Sequence, residues 1–258
     1  MGTRLALLYD TQTVLGRHLL KMAGNRTLLV TNLMTPLVFL IFISQLFQKL
    51  TSFPGASTNY VAYLMPGIVV LAGFLNGAQS GVSIVNDLNS GFLQKLMLTP
   101  VSRASILLGR LAADVLIVEA ESVIVILAAM LKGATVATGF PGVLLILLTT
   151  GFFGLAWSGF FLAIGMKVRK PETLSAIASF LSFLLLFVST LMLPKSFLPS
   201  WAQTISDFNP MSYASDVGRY LVLGGLTRDS FVSAYLVIGS LAVVTLSAAL
   251  YQFRKVVS

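Results

Sequence analysis

Cysteine is absent from the 258 residues, so no disulfide and no thiolate metal site is open to this chain. Histidine is reduced to His18, which excludes a histidine-cluster metal centre. Charge is scarce as well: Asp, Glu, Lys and Arg make up 10 % of the chain, against about 25 % in a soluble domain. Too little polar side chain remains to cover a water-facing surface, which excludes a single soluble globular domain. Acidic residues are the rarer kind, 9 against 17 basic ones, for a net charge of +8. In an apolar chain that imbalance reads as asymmetry across a membrane before it reads as nucleic-acid affinity, and no nucleic-acid partner is expected. Catalytic signatures are missing too. There is no G-x-x-x-x-G-K-[ST] phosphate loop, no H-E-x-x-H and no G-x-S-x-G. No segment repeats at a fixed period, and the hydrophobic runs show no inverted or parallel pairing of the kind found in secondary transporters.

What the sequence does have is hydrophobicity, 56 % of residues with a mean hydropathy of +0.90. It is spread along the whole chain, which excludes a single-span anchor. A membrane-spanning helix needs about 20 apolar residues. Six runs meet that length: 28–48, 61–85, 108–131, 142–166, 173–193 and 230–251. The predicted fold class is therefore all-α and polytopic, with six transmembrane helices. Residues 1–26 are different. Leu5, Leu8, Leu15, Leu19 and Met22 recur at a 3–4 spacing while Arg4, Asp10, Arg17 and Lys21 lie mostly elsewhere on the wheel. This predicts a basic amphipathic helix in the membrane interface rather than a signal peptide. His18 on that helix reads as a solvated interface residue.

Six spans put both termini on one side. That side then holds 12 of the 17 basic residues and the other side 5, so the positive-inside rule assigns both termini to the cytoplasm. Two connections are longer than topology requires: residues 86–107, cytoplasmic, and 194–229, external. Within the first, Leu88, Phe92, Leu96 and Met97 recur at helical spacing, which predicts a short amphipathic helix over 88–98. Thr99-Pro100 stops it, because proline disfavours helix at the preceding residue. Ser102 is placed to cap the next helix. A helix of this kind serves either as a rest on lipid headgroups or as a knob for a soluble motor, with Phe92 and Leu96 in a partner's groove.

In the external connection, Phe197, Pro199 and Trp201 open one short helix. Asn209-Pro210 opens another, as a cap followed by proline at the first helical position. The second helix should end at Gly224. Its roughly 14 residues give about 21 Å, too short to span. A re-entrant hairpin or outer gate is expected, with Asp216 and Arg219 paired at i,i+3.

The third span carries the most costly residues. Arg110 at i−4 is expected to neutralise Asp114. Glu119 and Glu121 lie near mid-span, where a charge costs roughly 2.5–3.5 kcal/mol. Either they line a substrate path together with Asn76 and Gln79, or they bond to neighbouring helices through Asn76, Gln79 or Ser158. Gly73, Gly77 and Gly81 form a tandem G-x-x-x-G that predicts close helix packing. Pro36 should kink the first span.

The run "NDLNSGFLQKLMLTPVSRASILLGRL" resembles the signature loop of ABC-2 type permeases, the membrane subunits of ATP-driven exporters. Asp87, Gly91, Leu93, Leu96, Thr99, Pro100, Arg103, Leu108, Gly109 and Arg110 fit its pattern. Phe92 stands where that family often has Thr, and Asp87 where Glu is common. "YLMPGIVVLAG" at 63–73 is similar to the family's second-span opening, and "LPKSFLPSWAQTISDFNPMSYASDVGRYLV" at 193–222 to its late external block. The match runs the length of the chain and is nearest to small permeases of the daunorubicin-resistance exporter type.

The resemblance implies a coupling segment built from Asp87, Gly91, Phe92, Leu93, Lys95, Leu96, Met97, Thr99, Pro100 and Arg103. It would dock on a separate ATP-binding subunit, present in two copies and holding the ATP and magnesium, with no cofactor in this chain. A second permease copy, outward movement of an amphiphilic substrate and residence in the bacterial inner membrane are implied as well. The alternatives are export of a lipid-linked glycan on the same scaffold, or an ion-coupled transporter using Glu119 and Glu121.

Overall fold

The computed structural model describes residues 2–47, 59–98, 101–224 and 228–257. In chain order it forms α1 (Gly2–Gly24), α2 (Arg26–Leu46), α3 (Tyr60–Asn89), α4 (Phe92–Met97), α5 (Arg103–Leu131), α6 (Gly139–Val168) and α7 (Pro171–Phe187). A 3-10 turn at Lys195–Phe197, α8 (Ser200–Ser206), α9 (Pro210–Leu223) and α10 (Arg228–Val257) complete it. Among the described residues there is no strand. Each of the six hydrophobic runs has its main part in one helix: α2, α3, α5, α6, α7 and α10. Among the described residues three helices are long and apolar enough to cross a membrane, Tyr60–Asn89, Gly139–Val168 and Phe231–Val256, and two shorter apolar ones are Val30–Leu46 and Pro171–Phe187. The α5 helix is as long but carries Arg110, Asp114, Glu119 and Glu121.

Three boundaries differ from expectation. The α3 helix continues to Asn89, so Asp87 lies on its last turns and not in a loop. The α4 helix has 6 residues instead of the predicted 88–98, because Leu88 and Asn89 still belong to α3. The α7 helix stops at Phe187, short of 193, and Ser189–Met192 fold back without helical form. Capping follows the sequence signals at Ser102 and Asn209, whose side chains accept from the backbone N–H groups of Ser105 and Met211, and Asn59 caps α3 in the same way through Val61. Pro36 lies inside a continuous α2.

The α3 helix is the spine, buried along nearly its whole length. Its closest partner is α6, and the glycine repeat is the reason. A Cβ at Gly77 would fall 2.8 Å from the Ser158 nitrogen, and one at Gly81 would fall 2.7 Å from the Phe161 Cβ. Only glycine allows the backbones that near, and in lipid such packing replaces the hydrophobic drive. Around the contact Phe74 meets both Trp157 and Phe161 edge to face, with the Phe74 and Trp157 ring centres 4.7 Å apart. The α10 helix covers the other side of α6.

Candidate functional site

The two ends of α3 each hold a buried arginine. At the Asn89 end, Arg110 of α5 is buried and its Nη1 lies 2.9 Å from the Asp87 Oδ2. Lys21 of α1 reaches the other oxygen of Asp87 at 2.7 Å. Arg110 also donates through Nη2 to the Ser80 carbonyl at 2.9 Å, and the Ser80 hydroxyl donates to Asp114. His18 Nε2 stands 3.6 Å from the Asp114 Oδ1. Two expectations are corrected here. Arg110 pairs with Asp87, and reaches Asp114 only through the Ser80 hydroxyl. His18 is 9 % exposed, so it is not a solvated interface residue. The cause of the second lies in α5, where a Cβ on Gly109 would come within 2.7 Å of the Thr11 carbonyl oxygen. With no side chain there, α1 settles directly onto α5 and turns His18 inward.

Beside this cluster, Gly91 takes φ 69° to turn the chain from α3 into α4, a left-handed conformation that glycine adopts without steric cost. Leu93 is buried, and Leu96 and Met97 pack partly against the core. The Phe92 ring carries the Arg17 guanidinium at 3.5 Å. The two residues expected as knobs, Phe92 and Leu96, therefore lean inward. Gln94, Lys95 and Leu98 face outward, with Leu98 88 % exposed. Thr99 and Pro100 lie outside the described residues, and Arg103 opens α5.

A cavity of about 390 Å³ sits between α1, α3 and α5. Asn76 and Gln79, two of the four expected path residues, line it together with His18, Ser80, Ser83 and Asp114. Gln79 also lines a groove of about 440 Å³ between α2, α3 and α7, where Thr31, Thr35, Ser175, Ser179 and Ser182 alternate with Phe39, Phe74 and Phe183. Glu119 and Glu121 line neither. Glu121 is buried with Oε1 unpartnered, and Glu119 lies over Gly151 of α6 with Oε2 unpartnered. Neither makes the hydrogen bonds expected with Asn76, Gln79 or Ser158. The Ser158 hydroxyl and the Asn76 Oδ1 are themselves unpartnered.

At the Tyr60 end, Arg219 of α9 pairs with Asp216 at 2.6 Å, as the i,i+3 spacing predicts. Its Nη2 donates to the carbonyls of Thr190 and Leu191, and Nε donates to that of Tyr63. Its guanidinium carbon lies 3.8 Å from the centre of the Tyr63 ring. Asp216 also accepts from the Thr190 hydroxyl. Arg219 thus takes up the carbonyls released where α7 stops, and non-helical backbone among spanning helices requires such partners. Asn209 caps α9 and Gly224 ends it at φ 76°. Pro199 and Pro210 open α8 and α9. Phe197 and Trp201 stay exposed.

His18, Lys21 and Ser80 also line the candidate site, and the sequence reading places none of them there. One signal was available for the cavity. Asn76, Gln79, Ser83 and Asn86 form a polar stripe at helical spacing inside an otherwise apolar run.

Comparison with known proteins agrees with this architecture. Residues 9–223 match the family model described as ABC-2 type transporter. The chain is similar to the daunorubicin resistance ABC transporter permease protein DrrB1 of Streptomyces coeruleorubidus, 28 % identical over 214 residues, covering 83 % of this chain and 75 % of that one. It is similar to a chain named as the transport permease ycf38 in Cyanophora paradoxa, 30 % identical over 198 residues, covering 75 % and 67 %. The doxorubicin resistance ABC transporter permease protein DrrC of Mycobacterium tuberculosis is 20 % identical over 222 residues, covering 85 % and 80 %.

Proposed function

The chain belongs to the ABC-2 type transporter family, and from that premise we propose that it is the permease subunit of an ATP-driven exporter of amphiphilic compounds. It is a multi-pass helical membrane protein, and permeases of this family normally work with an ABC ATP-binding subunit. In our reading six helices span, both termini are cytoplasmic, and the membrane is the bacterial inner membrane. The power comes from a partner that binds ATP and magnesium in two copies. The names of two relatives, which refer to daunorubicin and doxorubicin resistance, favour a drug-like amphiphile as cargo over a lipid-linked glycan.

One observation carries the reading. The chain has no phosphate loop of its own, yet it holds out a short helix at the end of its most buried element. Gly91 sets the angle of α4, Leu93 and the Arg17–Phe92 stack fix it, and Lys95 and Leu98 are left exposed. Such a lever suits a soluble motor. The groove between α2, α3 and α7 is where we place the second permease copy, since its mixed hydroxyl and aromatic lining suits helix association in lipid.

The test is reconstitution of the permease with its ATP-binding subunit in liposomes. Wild-type permease should raise ATP hydrolysis, and Lys95→Glu combined with Leu98→Asp should remove that stimulation while the permease stays folded. Unchanged stimulation in the double variant would refute the coupling assignment. Aspartate at Phe92 and Leu96 is the poorer test, because both lean on α1 and the core.

A further inference from the structure

We propose that the cavity beneath α1 is a binding site for a protonated primary amine at the head of an amphiphile. The inference rests on the permease reading for its purpose, while the chemistry of recognition stands on the cavity alone. Its mouth is polar and open, formed by the exposed Lys21, Asn25 and Asn86. Its floor is closed: Asn76, Ser80 and Asp114 are each 3 % exposed. Ten helical residues separate Asn86 from Asn76, about 15 Å at 1.5 Å per residue, so the floor lies near the middle of a hydrocarbon core of about 30 Å.

The floor is rich in acceptors and short of cations. Asp87 has two cationic partners, Lys21 and Arg110. Among the described residues, Asp114 has no lysine or arginine within ion-pair distance. It has only the Ser80 hydroxyl and, at 3.6 Å, the His18 ring. Asn76 adds a buried Oδ1 with no partner, and an orphaned acceptor at that depth calls for a donor.

Three ligand classes fail against this floor. An anion would meet the Asp114 carboxylate. A quaternary ammonium brings charge but offers no N–H to Asn76. An alcohol brings a donor but no charge for Asp114. A primary ammonium supplies both. Met22 and Val82 line the cavity as well, so an apolar tail has a wall to follow. The volume of about 390 Å³ falls within the usual range of small-molecule sites.

The probe is radiolabelled dodecylamine, titrated against the permease in nanodiscs of phosphatidylcholine, with empty discs subtracted. Saturable binding is expected, at least about tenfold tighter than that of dodecyltrimethylammonium or dodecanol, because charge and hydrogen bond act together. Asp114→Asn should weaken it at least about tenfold and Asn76→Leu several-fold. Ser83→Leu fills the cavity without touching the ionic cluster, and should abolish binding even if Asp114→Asn fails to fold. Discs containing phosphatidylethanolamine separate two sources of the same ammonium. Competition assigns the resting occupant to the lipid, its absence assigns the site to a non-lipid amine, and each outcome supports ammonium recognition. Partitioning no greater than in empty discs, equal affinity for the trimethyl compound, or an unaffected Ser83→Leu variant would overturn the proposal and leave a water-filled cavity only. This binding needs no ATPase. Retained binding without ATP-driven export would count against the exporter reading alone, and export without amine binding would count against this inference alone.

Discussion

Arg110 and Arg219 sit at opposite ends of the same helix, both buried, both paired with an aspartate, and they do different work. Arg219 closes its surroundings. It meets Asp216, three carbonyls and the Tyr63 ring. Arg110 shares its aspartate with Lys21 and borders a region that is left partly open, with a cavity, an unpartnered Asn76 oxygen and an exposed short helix nearby. A buried guanidinium bonded to an aspartate and three fixed carbonyls holds a fixed structure, whereas one beside a cavity and an unmet acceptor leaves room for a ligand or a movement. On this comparison the Tyr60 end is the more fully bonded end of the molecule and the Asn89 end the one with open volume.

The sharpest way to break the comparison is Arg219→Met. It leaves the half-buried Asp216 without its cation and strands the buried carbonyls of Thr190 and Leu191, so a loss of about 2–5 kcal/mol is expected, mostly from those two acceptors, read as a large fall in thermal midpoint in detergent. Arg110→Met should cost less, about 1–3 kcal/mol, because Lys21 still meets Asp87. Equal losses would remove the distinction between the two ends. Gly77→Ala tests the α3–α6 seam that both ends share. Its methyl group would press on the α6 backbone, for about 1–3 kcal/mol by the same thermal assay. Gly151→Ala should be milder, since the group it meets is the movable Glu119 side chain. Lys195→Ala should be smallest. It removes only the exposed pair with Asp207, worth under about 1 kcal/mol, and a larger shift would show that the hairpin surface contributes more than its exposure suggests.

The sequence was most legible where local rules act alone. Periodicity and length marked six helices, because an apolar run in lipid must satisfy its backbone internally. Asn209-Pro210 and Gly224 bounded α9, and Ser102 opened α5, since caps are settled by a few adjacent residues. The glycine repeat marked the seam between α3 and α6. The site was less legible. Asn76 and Gln79 were singled out, but as companions of Glu119 and Glu121, and the cavity joins them instead to His18 and Asp114. Helical spacing matched Arg110 with Asp114 on one face, yet Asp87 on another helix gave Arg110 a closer bidding partner. Phe92 and Leu96 were chosen as knobs from a wheel, and a wheel does not say which side a tertiary neighbour occupies.

Sequence by itself determined that this is a multi-pass helical membrane protein of the ABC-2 kind, where the helices begin and turn, and that it carries no phosphate loop. Those properties follow from hydrophobic transfer, capping and motif, which act over one turn or one span. Tertiary structure alone decided which charges meet, that α1 buries His18, that α7 ends where Arg219 waits for its carbonyls, and that a polar cavity opens below α1. These depend on contacts between residues 23 to 156 positions apart. Their geometry is fixed only when whole helices have packed, and no local pattern in the chain encodes it.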